Sequence, residues 1–136
     1  MNEVVIVTAK RSPVGSFNGS LSSLAAHEIS SQVIEEIIKD SGLKKADITE
    51  TILGQVLTTA QGQNPARQAH ISAGLSVESS AWIINQVCGS GLRAVSLGAQ
   101  QIQIDSTNII IAGGQESMSQ APHSAFLRKA KKMGDS

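Results

Sequence analysis

Short apolar runs alternate along the chain with longer segments in which apolar residues recur three and four positions apart. Runs rich in apolar and β-branched residues predict four strands, at Glu3–Thr8, Thr51–Leu57, Ser80–Asn85 and Thr107–Ala112. The periodic segments predict three helices, from about Leu24 to Ser41, from Pro65 to near Gly74, and from Cys88 to about Ile102. The order βαβαβαβ indicates an α/β fold with a mainly parallel sheet and helices on both faces.

In such sheets, reactive groups gather at the carboxyl ends of the strands. Cys88 follows the third predicted strand and opens the third predicted helix. Unpaired N–H groups and the helix dipole favour negative charge in a first helical turn, and a thiolate is a strong nucleophile. The same N–H groups can stabilise the oxyanion formed on a thioester carbonyl. Gly89 and Gly91 would let the sharp turn form and let a substrate approach the backbone.

Two other interpretations of this segment remain open on the residues alone. A lone intracellular cysteine is often a small buried hydrophobic residue. The run Gly89–Ala94 also matches the relaxed dinucleotide-binding pattern G-x-G-x-x-A between a strand and a helix. That pattern falls on the third strand and not the first, Asp105 follows Gly89 by only about sixteen residues, and the cysteine is left unexplained.

Composition narrows the classes of function. The chain has 136 residues, 40% of them hydrophobic, which fits one modest globular core. Eleven Lys and Arg balance eleven Asp and Glu, and aromatic residues are scarce, so neither nucleic acid nor an anionic membrane is an expected partner. One cysteine, no signal-like N-terminus and no apolar run near about 20 residues predict a reduced, cytoplasmic protein.

Two long motifs resemble those of one family. Asn85–Val95 resembles the acyl-binding cysteine motif of thiolases, and Ala112–Ser119 with Ala121–His123 resembles the second N-terminal thiolase motif. Arg11–Gly19 and Gly62–Gln68 resemble the branch of the family that forms acetoacetyl-CoA. The resemblance extends over the whole chain.

The resemblance implies a layered thiolase fold and an acyltransferase that forms or cleaves a carbon–carbon bond between two acetyl-CoA units. Cys88 would be the nucleophile that carries the acetyl group as a thioester. Acetyl-CoA and CoA would be the ligands, with no metal and no cofactor, in a homodimer or homotetramer. Residues 1–117 would form the N-terminal half-domain, and residues 118–136 would begin the loop region that the family inserts after it.

The resemblance also implies a limit on activity. Family members use a second cysteine as acid and base and a histidine that activates the nucleophile, both from the C-terminal half. The printed sequence has one cysteine, and none of its three histidines lies in the family's histidine motif. We therefore expect the 136 residues alone not to turn over. A 3-ketoacyl-CoA thiolase acting on longer chains in fatty-acid β-oxidation is the alternative enzyme, and a non-catalytic nucleotide-binding module is the alternative from another class.

Other residues are assigned supporting or structural roles. The residues expected to support the nucleophile are Gly89, Ser90, Gly91, Glu116, Ser117 and Met118. We expect His27 to be a surface residue, His70 to be structural, and His123 to fix its loop. Gln115 stands where many relatives have Met, a replacement expected to be tolerated. The basic cluster Arg128–Lys132 is expected to be solvated.

Overall fold

A computed structural model describes residues 3–127 of the chain. It contains three α-helices, three strands and two short 3-10 helices in those residues. In chain order the α-helices and strands are α1 (Ala26–Ser41), β1 (Glu50–Gly54), α2 (Pro65–Ser72), β2 (Ser80–Ile84), α3 (Ser90–Ile104) and β3 (Ile110–Gly114). The 3-10 helices are Lys45–Asp47 and Met118–Gln120.

The three strands form one parallel sheet in the order β2-β1-β3. In the central strand, Glu50 pairs with Ser80 and with Ile110. The ladder runs in register to the other end, where Gly54 pairs with Ile84 and Gly114. All three carboxyl ends therefore lie at one edge of the sheet, and the prediction of a parallel α/β fold is confirmed.

Helices cover both faces of the sheet. Thr51 Oγ1 lies 2.8 Å from His70 Nδ1, which places α2 on the face of β1 that carries Thr51. Side chains of neighbouring strand residues point to opposite faces. A Cβ added at Gly98 of α3 would lie 3.3 Å from Ile110 and 3.4 Å from Ala112, so α3 packs on the other face. The main core lies under α1 and α2 and contains Ile34, Ile38, Ile48, Leu53, Ala66, Ala69, Ala73, Leu75 and Ile111.

Local sequence signals explain the helix boundaries. Glu28 Oε2 accepts a hydrogen bond from Ala25 N at the start of α1, and Gly42 ends that helix with φ 71°. Asn64 Oδ1 accepts a hydrogen bond from Arg67 N at the start of α2. Pro65 occupies the first helical position, as predicted.

The prediction of a first strand at Glu3–Thr8 is wrong. The segment is not part of the sheet, and its apolar residues are exposed: Val5 by 65%, Ile6 by 78% and Val7 by 69%. It is attached by a hydrogen bond from Thr8 Oγ1 to Asp40 Oδ2 (2.7 Å) and an ion pair between Lys10 Nζ and Asp40 Oδ1 (3.2 Å). β-branched residues favour a strand only where neighbours cover them, and none does so within residues 3–127.

Several other boundaries differ from the prediction. The second predicted strand ends at Gly54 and not at Leu57, and the third helix begins at Ser90 and not at Cys88. The last strand begins only at Ile110, because Asp105 Oδ1 accepts hydrogen bonds from Thr107 N and Oγ1 and holds a turn before it.

No helix within residues 3–127 is long and apolar enough to span a membrane. The basic cluster at 128–132 and the last nine residues of the second predicted domain, 118–136, lie outside the described residues. The domain division stays a prediction.

Candidate active site

Cys88 lies in the turn between β2 and α3, at the carboxyl edge of the sheet. β2 ends at Ile84, α3 begins at Ser90, and the cysteine side chain is exposed. Gly89 N donates to Gln86 O at 3.1 Å, and Ser90 N donates to Val87 O at 3.2 Å, which closes the turn on both sides of the cysteine.

The residue with the unusual backbone is the one before the cysteine. Val87 has φ 51°, a left-handed conformation that β-branched residues rarely adopt. Gly89, in contrast, has φ −85° and ψ −1°, which any residue can adopt. The expectation that Gly89 supplies the backbone freedom for the turn is therefore wrong, because the sharp change of direction occurs at Val87.

Side chains on either side hold Val87. Asn85 Oδ1 accepts a hydrogen bond from Val87 N at 2.9 Å. Ser90 Oγ donates to Val87 O at 2.6 Å and accepts from Gln86 N at 2.8 Å. Ser90 is only 4% exposed. The sequence prediction included Ser90 as a supporting residue, but it missed Asn85, whose position two residues before Val87 is typical of an Asx turn.

The beginning of α3 rests directly on the end of β1. A Cβ added at Gly54 would lie 2.4 Å from the carbonyl carbon of Ser90 and 2.6 Å from Gly91 N, closer than folded proteins allow. Gly114 lies beside the same helical turn, since its added Cβ would be 3.3 Å from Gly91 Cα. Gly54 is thus the glycine that this close approach requires, and sequence reasoning missed it because the contact is long-range.

The first turn of α3 presents unpaired backbone donors. Within residues 3–127, the N–H groups of Gly91 and Leu92 have no protein acceptor. The side chain of Leu92 is 77% exposed, so this turn is open to solvent. Such groups at a helix start attract negative charge and can stabilise an oxyanion. The exposed Cys88 thiol, three residues before Gly91, is suited to attack on a carbonyl group.

Glu116 follows β3 and reaches the loop after β1. Its carboxylate accepts hydrogen bonds from Val56 N at 2.8 Å and Leu57 N at 3.1 Å. Asn85 Nδ2 in turn lies 3.5 Å from Val56 O. Glu116 therefore reaches the cysteine turn only through the loop at 56–57.

Ser117 and Met118 make no hydrogen bond to the loop at 56–57 or to the cysteine turn. Ser117 Oγ donates to Leu24 O at 2.8 Å, and Met118 is 57% exposed in a 3-10 helix. Ser119 Oγ accepts from Asn18 N at 2.9 Å. These residues of the second motif therefore connect the sheet edge to the segment before α1, and not to the cysteine turn.

A buried network of hydrogen-bonded polar side chains leads to the loop after β1. Gln115 Nε2 donates to Gln55 Oε1 at 2.7 Å, and Ser30 Oγ hydrogen-bonds Gln115 Oε1. Gln55 Nε2 then donates to Leu57 O at 2.9 Å. Sequence reasoning missed Ser30 and Gln55, because only the fold brings the three side chains together. Both ends of the Gln115 amide are therefore hydrogen-bonded in this chain.

Comparison with known proteins identifies the family. The profile described as "Thiolase, N-terminal domain" matches residues 4–136. The chain belongs to the thiolase family. An acetyl-CoA acetyltransferase of Paracoccus denitrificans is 58% identical over 99% of this chain and 34% of its own length. A cytosolic acetyl-CoA acetyltransferase of Rattus norvegicus is 46% identical over 97% of this chain and 33% of its own length.

Solved thiolase structures are similar as well. Acat5 thiolase from Ascaris suum, in complex with coenzyme A, superposes with a TM-score of 0.82 at 42% identity, covering 85% of this chain and 30% of that one. The Bacillus anthracis acetyl-CoA acetyltransferase gives a TM-score of 0.88 at 31% identity, covering 97% of this chain and 34% of that one. The chain thus spans about a third of the length of its thiolase relatives.

The histidines of this thiolase chain do not complete the site. His70 is fully buried, with Nδ1 2.8 Å from Thr51 Oγ1 and Nε2 2.8 Å from Ser76 O. Burial lowers its pKa, so the ring is neutral at physiological pH, and the prediction of a structural role is confirmed. His123 is exposed and makes no hydrogen bond within residues 3–127, so its expected loop-fixing role finds no contact in the structure.

His27 is half-buried and not the surface residue expected. Its Nδ1 atom is buried without a partner among the described residues. It lines an open depression with Arg67, Gln68, Ile71 and Ser72, none of which belongs to the cysteine turn. Within residues 3–127 there is no group of three His, Cys, Asp or Glu side chains that could hold a metal ion.

Proposed function

We propose that this chain provides the acyl-accepting part of an acetyl-CoA acetyltransferase. The exposed Cys88 thiol, three residues before the first of the unpaired N–H groups of Gly91 and Leu92, is the observation that carries the proposal. The relatives named acetyl-CoA acetyltransferase and the neighbour in complex with coenzyme A support the choice of acetyl-CoA as substrate.

In the first half-reaction, the Cys88 thiolate attacks the thioester carbonyl of acetyl-CoA. A bond forms between Sγ and the carbonyl carbon, and the negative charge moves to the carbonyl oxygen, where the free N–H groups of α3 can stabilise it. When the oxyanion collapses, the carbon–sulfur bond to CoA breaks. CoA leaves as a thiolate and takes up the proton that the cysteine had lost.

The second half-reaction joins two acetyl units. A second acetyl-CoA loses a proton from its methyl carbon, and the carbanion attacks acetyl-Cys88, which gives acetoacetyl-CoA and restores the thiolate. A base has to remove this proton from the methyl carbon. Cys88 is the only cysteine in the sequence, and it is occupied at this stage. His70, buried and bonded on both nitrogens, cannot reach a substrate.

We therefore propose that the 136 residues can accept an acetyl group but do not turn over by themselves. Steady-state formation or cleavage of acetoacetyl-CoA, followed by absorbance, tests this. The segment should give no rate above that of its Cys88→Ala variant. A catalytic rate that depends on Cys88 would show that these 136 residues contain the complete catalytic machinery.

Glu116 supports the site in this proposal by holding the loop at 56–57, on which Asn85 rests. Gly91 and Ser90 form the helix start beside the cysteine. Ser117 instead contacts Leu24 in the segment before α1, and Met118 is exposed. The intact enzyme is proposed to be a cytoplasmic homodimer or homotetramer with no metal or cofactor. The rat relative, named cytosolic, supports the location.

Protection of Cys88 from alkylation tests the substrate class. Iodoacetamide labels the single cysteine, and the labelling rate is followed by mass spectrometry. Acetyl-CoA should slow labelling in a saturable manner, whereas NAD at equal concentration should not. Saturable protection by NAD with no effect of acetyl-CoA would favour the nucleotide-binding module. In the full-length enzyme, faster thiolysis of longer 3-ketoacyl-CoA than of acetoacetyl-CoA would favour the β-oxidation thiolase.

A further inference from the structure

The left-handed backbone at Val87 is the least expected feature of the cysteine turn. Within residues 3–127, only two other non-glycine residues have positive φ, Asn18 (54°) and Ala60 (58°). Neither is β-branched. A valine reaches this conformation only where its surroundings impose it, and such residues cluster at functional sites.

Two side chains impose the conformation of Val87, one on each of its peptide groups. Asn85 Oδ1 accepts from Val87 N at 2.9 Å, and Ser90 Oγ donates to Val87 O at 2.6 Å. Ser90 Oγ also accepts from Gln86 N at 2.8 Å, which fixes the hydroxyl between the two arms of the turn. The carbonyl of Val87 belongs to the peptide that leads into Cys88, so its orientation sets the direction of the cysteine side chain.

The exposure of Asn85 and Val87 separates the positioning of the turn from general stability. Asn85 is exposed and lies outside both β2 and α3, so its side chain adds little to the packing of the sheet. Val87 is itself 65% exposed and fills no core position. The hydrogen bond between them therefore acts on the shape of the turn and not on the core.

We propose that Asn85 and Ser90 are positioning residues that hold Val87 in the left-handed conformation and so aim the Cys88 sulfur outward before α3. The inference rests on the proposed function of Cys88 as the acyl acceptor. It adds that the direction of the sulfur is set by the Asn85 amide and the Ser90 hydroxyl, whereas Gly89 has an ordinary helical backbone and Gly91 faces Gly114.

The test measures the rate of Cys88 alkylation by iodoacetamide at fixed pH, with a thermal melt for each variant. Asn85→Ala should slow alkylation about tenfold, because the sulfur is no longer held in one direction. Asn85→Ser should retain most of the rate, since a serine hydroxyl can accept from the same N–H. All these variants should melt close to the parent.

Rescue by glycine is the decisive comparison. Glycine adopts positive φ without strain, so Asn85→Ala combined with Val87→Gly should regain most of the lost rate. Ser90→Ala should show the same loss and rescue. Asn18→Ala is the matched control, an exposed asparagine with positive φ outside this turn, and should alkylate at the parent rate.

An unchanged rate in Asn85→Ala, or a double variant as slow as Asn85→Ala alone, would overturn the inference. The proposed function is judged separately by transfer of the acetyl group to the parent chain. If the parent accepts no acetyl group, the function fails, while the alkylation rates still decide the positioning roles.

Discussion

The central strand β1 and the N-terminal segment Glu3–Thr8 have similar sequences and opposite environments. Both are short apolar runs with β-branched residues, and the sequence predicts a strand for each. Ile52 of β1 is fully buried between two neighbouring strands, whereas Ile6 is 78% exposed and pairs with no strand within residues 3–127. Composition thus indicates the capacity to form a strand, and the neighbours decide whether one forms.

The largest expected effect comes from shortening the two isoleucines. Ile52→Ala should lower the free energy of unfolding by about 2–5 kcal/mol, because it leaves a cavity at the centre of the sheet. Ile6→Ala should change it by less than about 0.5 kcal/mol, since the side chain is already in water. Urea unfolding of the two variants measures both values. Equal losses would mean that the N-terminal segment is buried after all.

A smaller effect is expected where β1 meets α3. Gly54→Ala should cost about 1–3 kcal/mol, because the added methyl group collides with the backbone of Ser90 and Gly91. Gly113→Ala is the matched control in β3, since a Cβ there meets nothing within 4 Å. Unfolding in urea, with Cys88 alkylation as a second readout, should distinguish them. An unchanged free energy of unfolding in Gly54→Ala would contradict the close packing of α3 against β1.

The contact between Thr51 of β1 and His70 of α2 predicts that the free energy of unfolding depends on pH. The pKa of His70 is lowered by burial, so the unfolded chain takes up a proton more readily than the folded one. Stability is therefore retained above the unfolded value, near 6.5, and falls as the pH drops below it. Uptake of one proton limits the contribution of His70 to this slope to at most about 1.4 kcal/mol per pH unit.

Unfolding followed between pH 7 and pH 5 measures this slope. His70→Gln should flatten it, whereas His123→Gln, at an exposed position, should leave it unchanged. Equal slopes in the parent and in His70→Gln would show that the Thr51–His70 contact does not depend on a neutral ring.

The smallest expected effect concerns the attachment of the N-terminal segment. The hydrogen bond from Thr8 and the ion pair with Lys10 lower the pKa of Asp40. Asp40→Asn should speed amide hydrogen exchange in residues 3–10 and leave the melting temperature nearly unchanged, because these contacts are exposed. Glu36→Gln, which removes another exposed α1 carboxylate, paired with Lys39, is the control. Unchanged exchange in Asp40→Asn would mean that the segment is held by other contacts.

The sequence predicted much of the fold and the place of the candidate nucleophile. Periodicity located the three helices and three of the strands, and the change from strand to helix around Cys88 located the turn. The shift of the last strand follows from the turn at Asp105, which apolar periodicity alone does not reveal. The missing first strand is a different case, since a run of β-branched residues carries no information on its partners.

The details that shape the site depend on contacts between distant residues. Gly54 needs to be glycine because α3 approaches it, and Ser30 meets Gln115 only after folding. Neither contact leaves a local signal. Asn85 was detectable in principle, as an Asx residue two positions before a turn, but nothing in the sequence indicated that a valine would adopt the left-handed conformation.

Acetylation of the parent chain in a single turnover tests the central claim most directly. The chain is mixed with acetyl-CoA, quenched in acid, digested and mapped by mass spectrometry. The account predicts one acetyl group per chain on Cys88, with an equal amount of CoA released, and none in Cys88→Ala. A free Cys88 thiol, or acetylation of other residues to the same extent in Cys88→Ala, would contradict it.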